Sequence, residues 1–223
     1  MRVREVAGGG RAVEVPPHRL RRWFDNFARR NDGVRETGIG AEEVTVWGGN
    51  GTVATAAVPF PPLSGASSGT YQGLAVDALV EHAERSRRIG LVLLRKGAHS
   101  IGVVEDGSVV ASRTARHRVQ GRNAAGGWSQ QRFARRRQEQ AADALRRAAD
   151  DVEELLVPEV VRLDAIVLGG DRGALDELRA DRRLAPVLHL ATGRVLDVPE
   201  PRRSVLDEAA ERAVAVEVVV RDG

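Results

Sequence analysis

Ala165-Ile166-Val167-Leu168-Gly169-Gly170-Asp171-Arg172-Gly173 reads as a buried strand that ends in a glycine turn and runs straight into a helix over 173–183. Upstream, the spacing predicts a long helix from about 129 to 156, with Phe133, Ala141, Leu145, Ala148, Val152 and Leu155 on its apolar stripe and Pro158 beyond its end. Before that helix, Leu91-Val92-Leu93-Leu94 has the character of a buried strand. Ser100-Ile101-Gly102-Val103-Val104 and Ser108-Val109-Val110-Ala111, joined through Glu105-Asp106-Gly107, read as a hairpin. Downstream, Pro186-Val187-Leu188-His189-Leu190 is expected to form another strand and 201–214 a final helix. The valine-rich tail at 214–220 fits helix and strand equally well. Strands alternating with helices in this way predict an α/β fold, a mixed β-sheet with flanking helices.

The Gly169-Gly170-Asp171-Arg172-Gly173 turn lies where phosphates often bind in open α/β sheets. It matches neither the dinucleotide fingerprint nor the P-loop, because the third glycine spacing and the Lys-Ser/Thr pair are missing. A tight turn with a capped helix start is the better reading.

In the N-terminal third, Pro16-Pro17 opens a helix with Leu20, Trp23, Phe24 and Phe27 at helical spacing, closed by Asn31-Asp32-Gly33. This aromatic face is expected to pack on a sheet rather than to stack on nucleotides. Val44-Thr45-Val46-Trp47 and the run 52–58 flank Gly48-Gly49-Asn50-Gly51, a hairpin signal. Residues 59–69 are uncharged and rich in turn formers, and a helix follows with Leu74, Ala78, Leu79 and His82 along one side. His82 is expected to be a satisfied, partly buried histidine. The organisation expected is a single α/β domain over 1–223, with 1–60 as a candidate N-terminal subdomain and 116–156 as a functional loop and helix.

Of the 223 residues, 42% are hydrophobic and 29% charged, the balance of a soluble globular chain. No apolar signal segment or membrane-length run is visible, so a cytoplasmic location is expected. The absence of cysteine excludes disulfides, thiolate nucleophiles and cysteine-ligated zinc. There is no Gly-x-Ser-x-Gly elbow, and the histidines at 18, 82, 99, 117 and 189 stand in unrelated contexts. Neither a metal nor a small-molecule cofactor is expected. The acids at 150, 151, 153 and 154 read as a solvated helix face.

What remains is a basic segment. Arginines stand at 113, 116, 118, 122, 132, 135, 136 and 137, with no Asp or Glu between 113 and 137. Such a local field favours a polyanion. Within it, Ala124-Ala125-Gly126-Gly127 is slim enough to thread a constricted RNA cavity, and Gln130 and Gln131 fall in the first turn of the long helix. That turn offers unpaired N–H groups and a positive dipole end. A neutral amide there can position water, or donate to a developing oxyanion, without titrating. Arg132, Arg135, Arg136 and Glu139 share one side of the helix, leaving Phe133 to face the core.

At these residues the chain resembles the actinobacterial Vms-like release factors of the archaeo-eukaryotic release-factor superfamily, which are peptidyl-tRNA hydrolases. The family's Gly-x-x-Gln stands here as Gly127-Trp128-Ser129-Gln130, and Arg132-Phe133-Ala134-Arg135 matches the Arg-Phe-x-Arg helix start of the termination factors. The strand, hairpin, loop and long-helix order from about 90 to 170 extends the likeness. The resemblance implies the α/β fold of the middle, catalytic domain of archaeal and eukaryotic release factors. It also implies release of nascent chains from stalled large ribosomal subunits, with ribosomal RNA and peptidyl-tRNA as partners and no membrane or cofactor. Gln130 would be the catalytic glutamine, with Gly126 and Gly127 giving the loop its reach and Arg118, Arg122, Arg132, Arg135 and Arg136 gripping RNA. Termination factors place glutamine directly after the second glycine, whereas two residues separate Gly127 from Gln130, so Gln131 stands as a rival. The alternative reading is a noncatalytic factor that binds ribosomal RNA through the same surface.

Overall fold

The computed structural model describes residues 2–95, 97–116 and 128–223, and within the long helix the side chains of residue 135 and of 139 onward. The elements begin with β1 (Val3–Glu5), β2 (Arg11–Val15), α1 (Leu20–Arg30), β3 (Val34–Ile39), β4 (Glu43–Gly48), β5 (Val53–Ala57), β6 (Gly69–Gln72) and α2 (Asp77–Glu84). Next come β7 (Arg88–Arg95), β8 (Ala98–Glu105), β9 (Ser108–Arg116), α3 (Trp128–Leu156), β10 (Ala165–Gly170), α4 (Arg172–Arg179), α5 (Ala185–Leu188) and β11 (Ala191–Leu196). α6 (Arg203–Val214) and β12 (Val216–Arg221) complete the order. Two compact units result. One takes Met1–Ser86 and Val214–Gly223, the other Arg87–Ala213.

The first unit is a seven-stranded sheet in the order β1-β2-β12-β5-β4-β3-β6, antiparallel at every pairing. Its strands alternate because one face is fully buried and the other only partly so. Val44 and Val46 of β4 and Val216, Val218 and Val220 of β12 are buried, and they meet Leu20, Phe24 and Phe27 of α1 and Leu79 and Val80 of α2. That alternation resolves the valine-rich tail as a strand; Glu217 and Val219 point to the other side of the sheet. Residues 59–69 lie inside this unit rather than at its boundary, tied to it by Val58 N–H to the Glu42 carbonyl and Leu63 N–H to the Ala41 carbonyl. His82 is buried and satisfied as expected. Its Nε2–H donates to the Pro59 carbonyl at 2.8 Å, and Nδ1 accepts from Ser64 Oγ at 3.0 Å.

The second unit is the expected mixed sheet, in the order β11-β10-β7-β8-β9. β10 runs parallel to β7 and β11, whereas β7, β8 and β9 form an antiparallel meander. β7 is buried without interruption from Ile89 to Leu94, as befits a strand covered on both faces. On one face, Val92, Leu94, Ile101, Val103, Ile166 and Leu168 pack against α3, α4 and α5. On the other, Leu206 of α6 sits over Gly102, 3.1 Å from where a Cβ would stand. Gly170 has φ +105°, and an added Cβ would overlap the Leu94 carbonyl, so the turn into α4 requires glycine.

Two expectations change. The segment 186–190 is not a strand: Pro186 sits in the first turn of α5, where its missing N–H is harmless, and the strand that follows is β11. The buried line of α3 is Ala144, Ala148, Ala149, Val152 and Leu156; Ala141 is exposed, Leu145 and Leu155 are half-buried, and the side chain of Phe133 lies outside the described residues.

Candidate functional site

α3 has two halves of different character. From Ala144 onward it is seated on the sheet through the residues just named. Before Ala144, no side chain among the described residues is buried. At 1.5 Å per residue the stretch from Trp128 to Asp143 is about 24 Å long. Its first turn holds Trp128, Ser129, Gln130 and Gln131, with no acid among them. The first four N–H groups of a helix have no intrahelical acceptor, and the dipole there is positive, so this end attracts anions and developing negative charge.

The backbones of Gln130, Gln131, Arg132 and Arg136 stand on the first half of α3, while their side chains lie outside the described residues. Gly126, Gly127, Arg118 and Arg122 lie outside them altogether. The side chain of Arg135 is described: it is 83% exposed, and its Nε meets Glu139 Oε1 at 3.0 Å, one helical turn on. An exposed pair of this kind contributes roughly 0.3–0.5 kcal/mol, little enough to be exchanged for a phosphate.

The absence of acids between 113 and 137 does not carry over into three dimensions at the start of the segment. Arg113 reaches Glu154 at 2.5 Å and Asp151 at 3.3 Å, both on α3, and Arg116 reaches Glu200 at 2.7 Å. Nor are the acids near the end of α3 merely solvated. Arg183 holds Asp150 at 2.9 Å and Glu153 at 2.8 Å, and also Asp181 at 2.7 Å. The side-chain hydrogen bond from Arg183 is the main cause that holds the Asp181 carboxyl below its ordinary pKa, and the same bond raises that of the guanidinium.

Sequence reasoning missed a buried contact. His99, 1% exposed, places Nε2 2.6 Å from Asp151 Oδ2, coupling β8 to α3 across 52 positions. It is not part of a nucleophilic triad: Ser100, the next residue on the strand, points to the opposite face and pairs with Thr114 Oγ1 at 2.6 Å. His99 also borders a cavity of about 240 Å³ between the β7–β8 turn, α3 and the start of α4. The N–H groups of Gly173 and Ala174 on its wall are occupied by Asp171 Oδ1, at 3.0 and 3.4 Å, so the turn after β10 caps its helix rather than offering a free phosphate cradle. Among the described residues, no cluster of three or more His, Asp or Glu could hold a metal ion, and no helix is long and apolar enough to cross a membrane.

Residues 87–219, more than half of the chain, match the family described as the Actinobacteria/Chloroflexi VLRF1 release factor. The match starts where the second unit starts and contains the whole basic segment. Among solved structures, the chain is similar to an archaeal translation termination factor, aRF1, with a TM-score of 0.44 and 16% identity over 75% of this chain and 48% of that one. It is also similar to the Vms1 mitochondrial localization core, with a TM-score of 0.40 and 13% identity over 79% of this chain and 76% of that one. For Pelota of Archaeoglobus fulgidus the TM-score is 0.35, with 12% identity over 96% of this chain and 65% of that one. The chain thus spans about half the length of the archaeal termination factor.

Proposed function

Because the chain belongs to the Actinobacteria/Chloroflexi VLRF1 release-factor family, we propose that it is a peptidyl-tRNA hydrolase that releases nascent chains from stalled large ribosomal subunits. The observation that carries this reading is the place of Gln130: the first turn of α3, at the far end of a half-helix with no buried side chain among its described residues. A glutamine so placed can be carried into a narrow RNA-walled cavity while the other half of the helix stays on its sheet.

The chemistry asked of it is modest. Water attacks the ester carbonyl carbon, the tRNA ribose oxygen leaves, and the proton lost by water ends on that oxygen. The Gln130 amide orients the water through its oxygen or donates to the oxyanion through its nitrogen, beside the unpaired N–H groups of the same turn. Gly126 and Gly127 let the approach be close, and Arg118, Arg122, Arg132, Arg135 and Arg136 hold ribosomal RNA phosphates and so fix the geometry. No cofactor enters the scheme.

Single-turnover release from a purified peptidyl-tRNA–large-subunit complex tests it. Gln130→Ala is expected to slow release by about 10²-fold or more, the scale of losing one preorganised hydrogen-bond donor, with ribosome affinity little changed. Gln131→Ala is expected to cost much less; a selective loss there transfers the role to the neighbour. Wild-type rates in both variants, or an intact ester with wild-type protein, make the chain a noncatalytic ribosome-binding factor instead.

A further inference from the structure

The first unit, most of which lies outside the family match, holds a cleft of about 910 Å³ along α1. Arg19, Arg22 and Arg30 line it with Trp23 among them, Arg11 of β2 lines it too, and Asp222 is the acid in its wall. Arg19, Arg22, Asn26 and Arg30 recur at intervals of three and four and so form one stripe, about 17 Å long at 1.5 Å per residue. All four arginines are exposed, and their side chains make no ion pair or hydrogen bond within the described residues. Other arginines of the same unit are paired: Arg4 holds Glu217 at 2.9 Å and Arg21 holds Asp77 at 2.6 Å. Four cations left together against one acid repel one another, which weakens the fold and favours a polyanionic occupant.

Trp23 tells which polyanion. It is half-buried, stacked on Phe27 with centroids 5.9 Å apart and 14° between planes, and edge-on to Phe24 at 5.0 Å. The indole is thereby held rigid in the cleft wall, between cations placed to follow a phosphate backbone. A fixed aromatic surface inside a basic groove is how single strands are bound without sequence preference. An acidic peptide would use the arginines and have no need of the indole.

We propose that this cleft binds single-stranded RNA, with phosphates along Arg19, Arg22, Arg30 and Arg11 and a base against Trp23. The proposal rests on the cleft alone and stands whether or not Gln130 acts on an ester.

Full-length protein is titrated with a labelled single-stranded RNA of about twelve nucleotides carrying 4-thiouridine, and crosslinked peptides are mapped after trypsin digestion. The expected result is a crosslink in the tryptic peptide that carries Trp23, residues 23–29 in the unmutated chain and a longer one in the variant below. Arg19→Glu, Arg22→Glu and Arg30→Glu together should abolish that crosslink, weaken binding at least tenfold and lower the log–log salt slope by about two, three contacts at roughly 0.7 each. The crosslink should survive Arg132→Glu, Arg135→Glu and Arg136→Glu, variants that belong to the release reading, so the two proposals can fail separately. Crosslinks confined to 113–137, or an unchanged affinity and slope in the α1 variant, overturn the proposal. Displacement of the RNA by polyglutamate of equal length as readily as by unlabelled RNA overturns it too, in favour of an acidic peptide.

Discussion

Arg183 gathers three carboxylates, and its effect on Asp181 has a direction that pH can expose. A carboxyl whose pKa is lowered on folding contributes stability that is fully present above its ordinary value and is lost as pH falls through the folded value. Asp181→Asn keeps an oxygen for the Arg183 backbone N–H, which Asp181 Oδ1 accepts at 3.1 Å, and removes the charge together with the acceptor that Oδ2 offers the Arg183 guanidinium at 2.7 Å. Thermal melts should therefore show the variant slightly less stable than wild type at about pH 6, with the gap narrowing as pH falls below the ordinary carboxylate value of about 3.9. A gap that is constant with pH would mean that the charge is not its cause. At this scale the sequence is unevenly legible. Asp171 announces itself as a cap by following a glycine turn and preceding a helix. The His99–Asp151 pair is silent, because neither residue carries a local signal of a partner 52 positions away.

At the scale of elements, burial divides α3 where its periodicity does not. Helical hydrogen bonds backed by packing open only with larger unfolding events, whereas helical turns with few buried contacts fray alone. Hydrogen–deuterium exchange should find the amides from Ala144 to the end of α3 protected at least about tenfold more than those before it. Uniform protection along the helix would mean that the first half is packed. The long helix, the β7 strand and both hairpins were readable because each has an apolar run or stripe of sufficient length. Pro186 to Leu190 was not, since five residues with three apolar side chains suit a short helix as well as a strand, and the proline settles it only once its place in the first turn is seen. β1, β3 and β6 escaped for a related reason. They lack an apolar run, and β6 is exposed throughout.

For the whole molecule, the decisive pairing is that of β12, whose Val218 stands opposite Val13 on one side and Ala56 on the other. No local pattern could reveal that 214–223 completes a unit begun at the N-terminus, although the alternation of its valines is plain afterwards. Deleting 215–223 removes Val216, Val218 and Val220 from the first unit's core and leaves β2 and β5 without the strand that joins them. Limited trypsin digestion of the truncated chain should then cut readily at the arginines of α1, while the sheet of Arg87–Ala213 stays resistant. Equal resistance in both units would make β12 dispensable.

The same strand order sets a timetable for synthesis. From the end of α2 at Glu84 to the first residue of β12 at Val216, the ribosome must add a further 132 residues (216 − 84), which at about 5–20 residues per second takes on the order of ten seconds. Within that interval the second unit is made as one uninterrupted segment. The sheet of the first waits with a gap one strand wide, the facing backbones of β2 and β5 open to any stray strand that reaches them first.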